Sequence, residues 1–346
     1  MALFSNRRSF PSWKTLFSVG ALVAILLTAA YWYRTFQEVT RGKIVAEVSK
    51  QTTVGNITMA EYALKLTCGQ VCDYNIQKRE GDAFLKKEFN CHSLLVRMKV
   101  PPGKVYDPPL RTPPPGLMSA FTQNGALQLK HFYFKYAKKA FQTSFSSKLM
   151  ANMIDMDKRN VMLGSYEYMS AGFKHVLKAF ENELKGKRVT VIGTQVPWVE
   201  VMLLNTGVTN VTAVDYNEIN IEHPSISFKL VTQLAEEHIK KENKQLDVVV
   251  SFSSIEHAGL GRYGDPLNPY GDLEAAAQVW CMLIPGGLFF LGVPAECGKE
   301  KGTLVFNGHR IYGEARLQHL TANFIQLQRI IVGDHAIMVL RKPLAN

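Results

Sequence analysis

Two strings in the C-terminal half do most to limit what this chain can fold into. LDVVVSFSSIEHAGLGRYGDP (Leu246–Pro266) opens on an apolar run, and WCMLIPGGLFFLGVP (Trp280–Pro294) contains a second. Asp247–Phe252 and Leu288–Val293 have the length of buried strands. The second is preceded by an amphipathic stretch, Leu273–Leu283, and by a turn at Pro285, Gly286 and Gly287. Strand, loop, helix, turn, strand is the grammar of a parallel α/β sheet. Such sheets present their chemistry at the carboxyl ends of the strands, here Ser253–His257 and Pro294–Cys297.

The same pattern continues upstream. Ala171–Leu184 reads as a helix that Gly186 ends, and Arg188–Ile192 as a strand running into Gly193. Pro197 suits the first turn of a helix reaching Leu204. Val211–Val214 is a second strand, Ser225–Leu230 a short third, and Leu234–Glu242 a helix. Phe324–Val332 and Ala336–Arg341, joined at Gly333-Asp334, predict a terminal antiparallel pair. Strand, glycine, helix, strand, acid is a half-site for an adenosine-containing cofactor. Asp215 follows Gly193 by 22 residues, near the interval expected of a carboxylate that accepts both ribose hydroxyls. The segment Gly193–Pro197 holds a single glycine, so it lacks the close backbone N–H groups a pyrophosphate needs. S-adenosylmethionine carries no phosphate and tolerates that loss, which argues against a dinucleotide dehydrogenase. The plainer alternative is a tight strand-to-helix turn with no ligand.

These residues also carry a resemblance. Gly193 with Asp215, LDVVVSF leading into SSIEH, and LIPGGLFFLGVP are similar to the first, second, fourth and fifth strand motifs of class I S-adenosylmethionine-dependent methyltransferases. SSIEHAGLGRYGDPLNPYGD and FNGHRIYG (Phe306–Gly313) resemble the nematode-expanded domain-of-unknown-function family number 268 within that superfamily. The resemblance spans roughly Ser165–Arg341. It implies a Rossmann-like α/β sheet of seven strands, mostly parallel, with a final antiparallel hairpin. It places Gly193 and Gln195 at the methionine end of the cofactor, Asp215 at the ribose, and Ser251 and Ser253 beside the cofactor at the fourth strand. Glu256, His257, Arg262, Tyr263 and Asp265 then fall where a methyl acceptor approaches, with Asn307, His309 and Arg310 converging from a second loop. His257 is the candidate general base for a hydroxyl, with Glu256 beside it. The structural alternative is that the pair only caps the following turn. Arg262 and Arg310 suit an anionic acceptor. The leading expectation is a membrane-anchored methyltransferase-like protein that transfers a methyl group from S-adenosylmethionine to an oxygen of a small molecule, glycan or lipid. The competing readings are a non-catalytic binding or scaffolding descendant and a glycosyltransferase-like enzyme, the latter lacking an Asp-x-Asp metal motif. No metal site is expected.

The N-terminal part has a different character. Thr15–Tyr33 is uncharged, and its 19 residues suffice to cross a bilayer core of roughly 30 Å. Tyr31, Trp32 and Tyr33 suit the headgroup interface. A short leader (1–14) holding Arg7, Arg8 and Lys14 and no acid predicts a signal anchor with a cytosolic N-terminus. Cleavage after small residues such as Thr28 and Ala30, giving a secreted chain, is the alternative. The rest divides into a membrane-proximal region without a readable role (34–100), a proline-rich spacer (101–118) with seven prolines, and the α/β domain (119–346). Leu129–Phe141 reads as a basic aromatic helix packed on the domain or lying on the membrane. Net charge is +11, but residues 1–118 hold 16 Lys and Arg against 8 Asp and Glu, and the remainder only 24 against 21. That distribution fits anionic lipid rather than nucleic acid. Sequons at Asn56 and Asn210 fit a lumenal body in the endoplasmic reticulum or Golgi. Cys68, Cys72 and Cys91 are expected to supply a disulfide, with free thiols or a metal site including His92 as alternatives. Cys281 reads as a buried small hydrophobe.

Overall fold

The computed structural model describes residues 89–100, 103–123, 125, 127–134, 144–163, 166–240 and 245–344. The expected anchor, the Asn56 sequon, Cys68 and Cys72 lie outside them. Among the described residues no helix is long and apolar enough to cross a membrane.

Seven runs of β-branched and large apolar residues build the main sheet: β1 (Arg188–Ile192), β2 (Asn210–Asp215), β3 (Ile226–Leu230), β4 (Leu246–Phe252), β5 (Leu283–Pro294), β6 (Ile325–Val332) and β7 (His335–Arg341). Their order is β6-β7-β5-β4-β1-β2-β3. Strands β1 to β5 are parallel, and β7 runs antiparallel to both β5 and β6. The predicted sheet, its strand positions and its closing hairpin are therefore present. The chain works outward from β1 through β2 to β3, then returns to lay β4 on the other side of β1. The ends of β1 and β4 thus form the switch point where open α/β sheets bind ligands.

Helices cover both faces, which is why β4 and β5 are apolar on both sides. On one face lie α2 (Ser147–Lys158), α3 (Glu167–Ala179) and α4 (Trp198–Asn205), burying Phe173, Leu177 and Val201 against Val191, Val250, Phe290 and Ile337. On the other lie α1 (Cys91–Lys99), α5 (Val231–Ile239), α6 (Gly271–Met282) and α7 (Glu314–Leu320), burying Leu95, Leu234, Ala276 and Leu317 against Val214, Phe289, Leu291 and Met338. Each such large side chain contributes about 1.5–3 kcal/mol of hydrophobic stabilisation. A smaller sheet joins Gln128–His131, Thr303–Phe306 and His309–Ile311 beside the site.

Several expectations are corrected. Cys281 is buried but not a free hydrophobe. It forms a disulfide with Cys91 across a sequence separation of 190, tying α1 to α6. Leu129–His131 is strand rather than helix, because it pairs in parallel with Leu304–Phe306; the rest of the expected helix, beyond Phe134, is outside the described residues. The proline segment is not a free spacer. Tyr106 and Leu110 pack on a cluster of Phe121, Leu127, Leu260, Leu267 and Phe306, and the Leu267 N–H donates to the Lys104 carbonyl at 3.2 Å. With α1 docked as well, the globular part starts upstream of residue 119. The Pro285-Gly286-Gly287 turn falls inside β5 as a bulge, since Leu246 pairs with Leu283 and Val248 with Leu288.

Candidate functional site

A cavity of about 560 Å³ opens at the carboxyl ends of β1, β2, β4 and β5. That size lies within the roughly 300–1,000 Å³ usual for small-molecule sites. Its floor is the switch point. Gly193 has φ +89°, donates its N–H to the Val214 carbonyl at 2.8 Å, and sits so close to Ser254 that a Cβ would overlap that side chain. Only glycine lets the backbone cross there.

On the β2 side, Asp215 lines the cavity at the strand end. Its Oδ1 accepts the Asn217 backbone N–H at 2.9 Å. Burial raises its pKa to about 6, against hydrogen bonds from Asn217 and the Tyr216 backbone that lower it. Gln195 lines the same wall and is exposed. A further carboxylate, Glu200, was not singled out by the sequence reading. It is fully buried and lines the cavity from the first turn of α4. Its Oε1 accepts the Thr194 hydroxyl, whereas its Oε2 has no partner. Burial raises its pKa to about 7, and neighbouring Asp215 adds to the rise. The available signal was one acid inside the otherwise apolar run Trp198–Leu204.

The other half of the cavity follows β4. Ser253 adopts φ +49°, an uncommon conformation for a non-glycine residue, of the kind that clusters at functional sites. Its hydroxyl donates to Glu256 Oε1 at 2.7 Å. Glu256 is fully buried and its Oε2 has no partner. Burial raises its pKa to about 7, although the Ser253 hydrogen bond and Arg262 pull it down. His257 Nδ1 lies 2.7 Å from the Gly308 carbonyl. A carbonyl can only accept, so Nδ1 carries the proton and Nε2 presents a lone pair, 3.6 Å from Glu256 Oε1. Burial, with help from Arg262, lowers the pKa of His257 to about 3.

Arg262 stands over the Phe134 ring at 3.9 Å and the Tyr263 ring at 4.9 Å. Tyr263 and His309 line the same wall, and the His309 ring lies edge-on to His257 at 6.1 Å. The remaining predicted contacts serve other purposes. Asn307 is buried and clamps Phe134, accepting its N–H at 2.9 Å and donating to its carbonyl at 3.1 Å. Arg310 is buried too, and holds the carbonyls of Glu256 (3.2 Å) and Ala258 (2.7 Å). It is a rivet under the loop, not a receptor for an anionic acceptor. Asp265 also lines the cavity, and it accepts the backbone N–H groups of Gly259 (2.8 Å), Gly261 (3.1 Å) and Tyr263 (3.1 Å), so its carboxylate shapes the loop. Ser251 lies outside the cavity lining. Strand alternation sends it to the side of Val249, opposite Val250 and Phe252.

The sheet order, the reversed last hairpin and the cavity at the switch point define a Rossmann-like methyltransferase fold. Residues 186–335 match the family described as "Caenorhabditis protein of unknown function, DUF268". No curated protein matches the chain. Among solved structures, the 1,6-didemethyltoxoflavin-N1-methyltransferase of Burkholderia thailandensis, with bound 1,6-didemethyltoxoflavin and S-adenosylhomocysteine, is similar at 18% identity and TM-score 0.39, over 56% of this chain and 87% of that one. TehB from Haemophilus influenzae is similar at 15% identity and TM-score 0.37, over 54% and 65%. The N-methyltransferase NodS from Bradyrhizobium japonicum WM9 is similar at 14% identity and TM-score 0.33, over 50% and 97%.

Proposed function

We propose that the chain is a membrane-anchored methyltransferase that binds S-adenosylmethionine in the switch-point cavity and methylates a small molecule, glycan or lipid, not nucleic acid. The observation that carries this reading is the pairing, in one cavity, of a glycine crossing, the half-buried Asp215 and the buried Glu200 on the β1–β2 side with a Ser253–Glu256–His257 group on the β4 side. The residues fit the cofactor. Gly193 brings bare backbone to the cavity wall beside Ser254, and Asp215 keeps one oxygen free of the Asn217 turn for ribose hydroxyls. The bound cofactor supplies an electrophilic methyl group.

The protein's part is alignment, exclusion of water and handling of one proton. Glu256, with a pKa of about 7 and an unpartnered oxygen, is the better match to a proton released near neutral pH. His257, held near 3, is a weak base there. Its fixed tautomer suits it to orienting the acceptor through Nε2. The expected assignment of His257 as base thus gives way to Glu256 as proton acceptor. The single glycine after β1 favours a second reading, a non-catalytic binding domain with the same fold. The two separate on whether methyl transfer accompanies cofactor binding.

Calorimetric titration of the full-length chain tests the cofactor. Asp215→Ala is expected to weaken S-adenosylhomocysteine binding ten- to a hundredfold, the equivalent of about 1.5–3 kcal/mol for lost charge-assisted hydrogen bonds. Ribose recognition needs the ionised carboxylate. With a folded pKa of about 6, affinity should be full above that pH and fall about tenfold per unit below it. Stability runs the other way. A carboxylate whose folded pKa is raised contributes most below its unfolded value, and that contribution is lost as pH rises through about 6. A parent that binds neither cofactor form, or a folded variant that binds as the parent does, would reject the assignment.

The proposed location is the lumen of the endoplasmic reticulum or Golgi, with secretion after cleavage as the alternative. The Cys91–Cys281 bond belongs to oxidising compartments, and Asn210 is exposed. This location requires delivery of S-adenosylmethionine across the membrane. Chain extracted from cells under alkylating conditions should retain the bond, and protease added to intact microsomes should leave residues 35–346 whole. A fully digested body, or a reduced Cys91, overturns the topology.

A further inference from the structure

Glu200 is a fully buried acid with one oxygen that the fold leaves without a partner. Its Oε1 is taken by the Thr194 hydroxyl, its Oε2 has no partner among the described residues, and the residue lines the cavity. Leaving such an oxygen desolvated and unpaired costs on the order of 1–3 kcal/mol, and more when it is charged. No cation figures among the groups that chiefly set its ionisation: burial, Thr194, its own backbone and Asp215. The β1–β2 side of the cavity therefore holds two carboxyl groups, and one of them, Glu200, keeps an oxygen without a donor. Their places differ. Asp215 stands at the end of β2, whereas Glu200 is anchored through Thr194, the residue after the Gly193 crossing, directly over the switch point. Gly193, Glu200, Asp215 and Glu256 line one cavity, so a ligand whose ribose reached Asp215 would have Glu200 and Glu256 among its neighbours.

We infer that Glu200 receives the α-ammonium group of the cofactor's amino-acid end, an inference that rests on the S-adenosylmethionine reading above. An ammonium brings both a full charge and several N–H donors to an oxygen that lacks a donor. The sulfonium brings charge without a donor and loses that charge on transfer. Ribose hydroxyls bring donors without charge and are met by Asp215.

The test uses full-length chain and three probes: S-adenosylmethionine, S-adenosylhomocysteine, and 5′-methylthioadenosine, which keeps the adenosine and thioether but lacks the amino acid. Glu200→Gln preserves shape and the acceptor for Thr194. It is expected to weaken the first two probes equally, by tenfold or more, and to leave the third within twofold. Asp215→Asn should weaken all three. Equal loss for all three probes with Glu200→Gln would place Glu200 on the ribose, and loss for S-adenosylmethionine alone would place it on the sulfonium. Either result overturns the assignment, as does unchanged binding in a folded variant. The parent gives a second readout that does not depend on the variant folding. Affinity for S-adenosylhomocysteine should rise relative to 5′-methylthioadenosine between pH 6 and pH 8, as Glu200 ionises, and parallel pH profiles would overturn the inference. A parent that binds none of the three rejects the S-adenosylmethionine reading itself, and Glu200's role falls with it.

Discussion

Asp272→Ala is expected to destabilise the folded chain by about 3–5 kcal/mol, the cost of removing one partner from a buried ion pair. Asp272 is fully buried at the start of α6. Its Oδ1 and Oδ2 accept Arg316 at 2.6 and 2.8 Å, its Oδ2 accepts the Tyr312 hydroxyl at 3.0 Å, and Arg310 lies 3.6 Å away. Alanine would leave two guanidinium groups buried without a carboxylate. The damage should reach the cavity, because Arg310 also holds the carbonyls of Glu256 and Ala258, which line it. Burial alone would raise the pKa of Asp272, but Arg310 and Arg316 hold it down to about 2. A depressed carboxylate contributes stability above its unfolded pKa of about 4 and loses it as pH falls toward the folded value. Urea unfolding of the parent should therefore show stability declining between about pH 4 and pH 2, and the variant should lack that component. Matching midpoints for parent and variant at pH 7 would show that the cluster does not bear on the fold.

Glu256→Gln is expected to lower turnover by about a hundredfold or more, the usual contribution of a positioned acid–base group. S-adenosylhomocysteine affinity should stay within about twofold, because Glu256 stands on the β4 side of the cavity. The assay is release of S-adenosylhomocysteine from S-adenosylmethionine with a microsomal glycan and lipid extract as acceptor source. His257→Ala separates the roles. As an orienting residue it should raise KM along with any fall in kcat, whereas a base would lower kcat alone. It should also be mildly destabilising, since the Gly308 carbonyl loses its donor. A parent that binds cofactor but gives no turnover with any extract would favour the non-catalytic reading. A Glu256→Gln enzyme with parental turnover would end the proposed proton route.

The parallel sheet was legible because its signals are local. Arg188–Ile192, Leu246–Phe252 and the pair Ile325–Val332 and His335–Arg341 announce themselves by apolar runs bounded by glycine, proline or acid, and the structure begins and ends them within a few residues of expectation. Gly193, Asp215, Glu256 and His257 were legible for a related reason. Each sits at a strand end, and strand ends on one side of a parallel sheet converge.

What stayed hidden depends on contacts between distant parts of the chain. The Cys91–Cys281 bond spans 190 residues, so local pattern placed Cys281 among the small hydrophobes of its helix. Asn307 and Arg310 read as acceptor contacts because they are polar and near the right loop. Only packing shows that Asn307 clamps Phe134, 173 residues away, and that Arg310 is spent on backbone carbonyls. Gln128–His131 became a strand because a ladder was open beside Thr303–Phe306, which no propensity of its own could supply. By itself, then, the sequence determined the sheet and the end of it that carries the cavity, since periodicity and turn residues act over a few positions. The tertiary structure alone decided which polar side chains face the cavity and which are consumed as structure. Glu200 and Arg310 are both buried, and what separates them is whether folding leaves an atom without a partner.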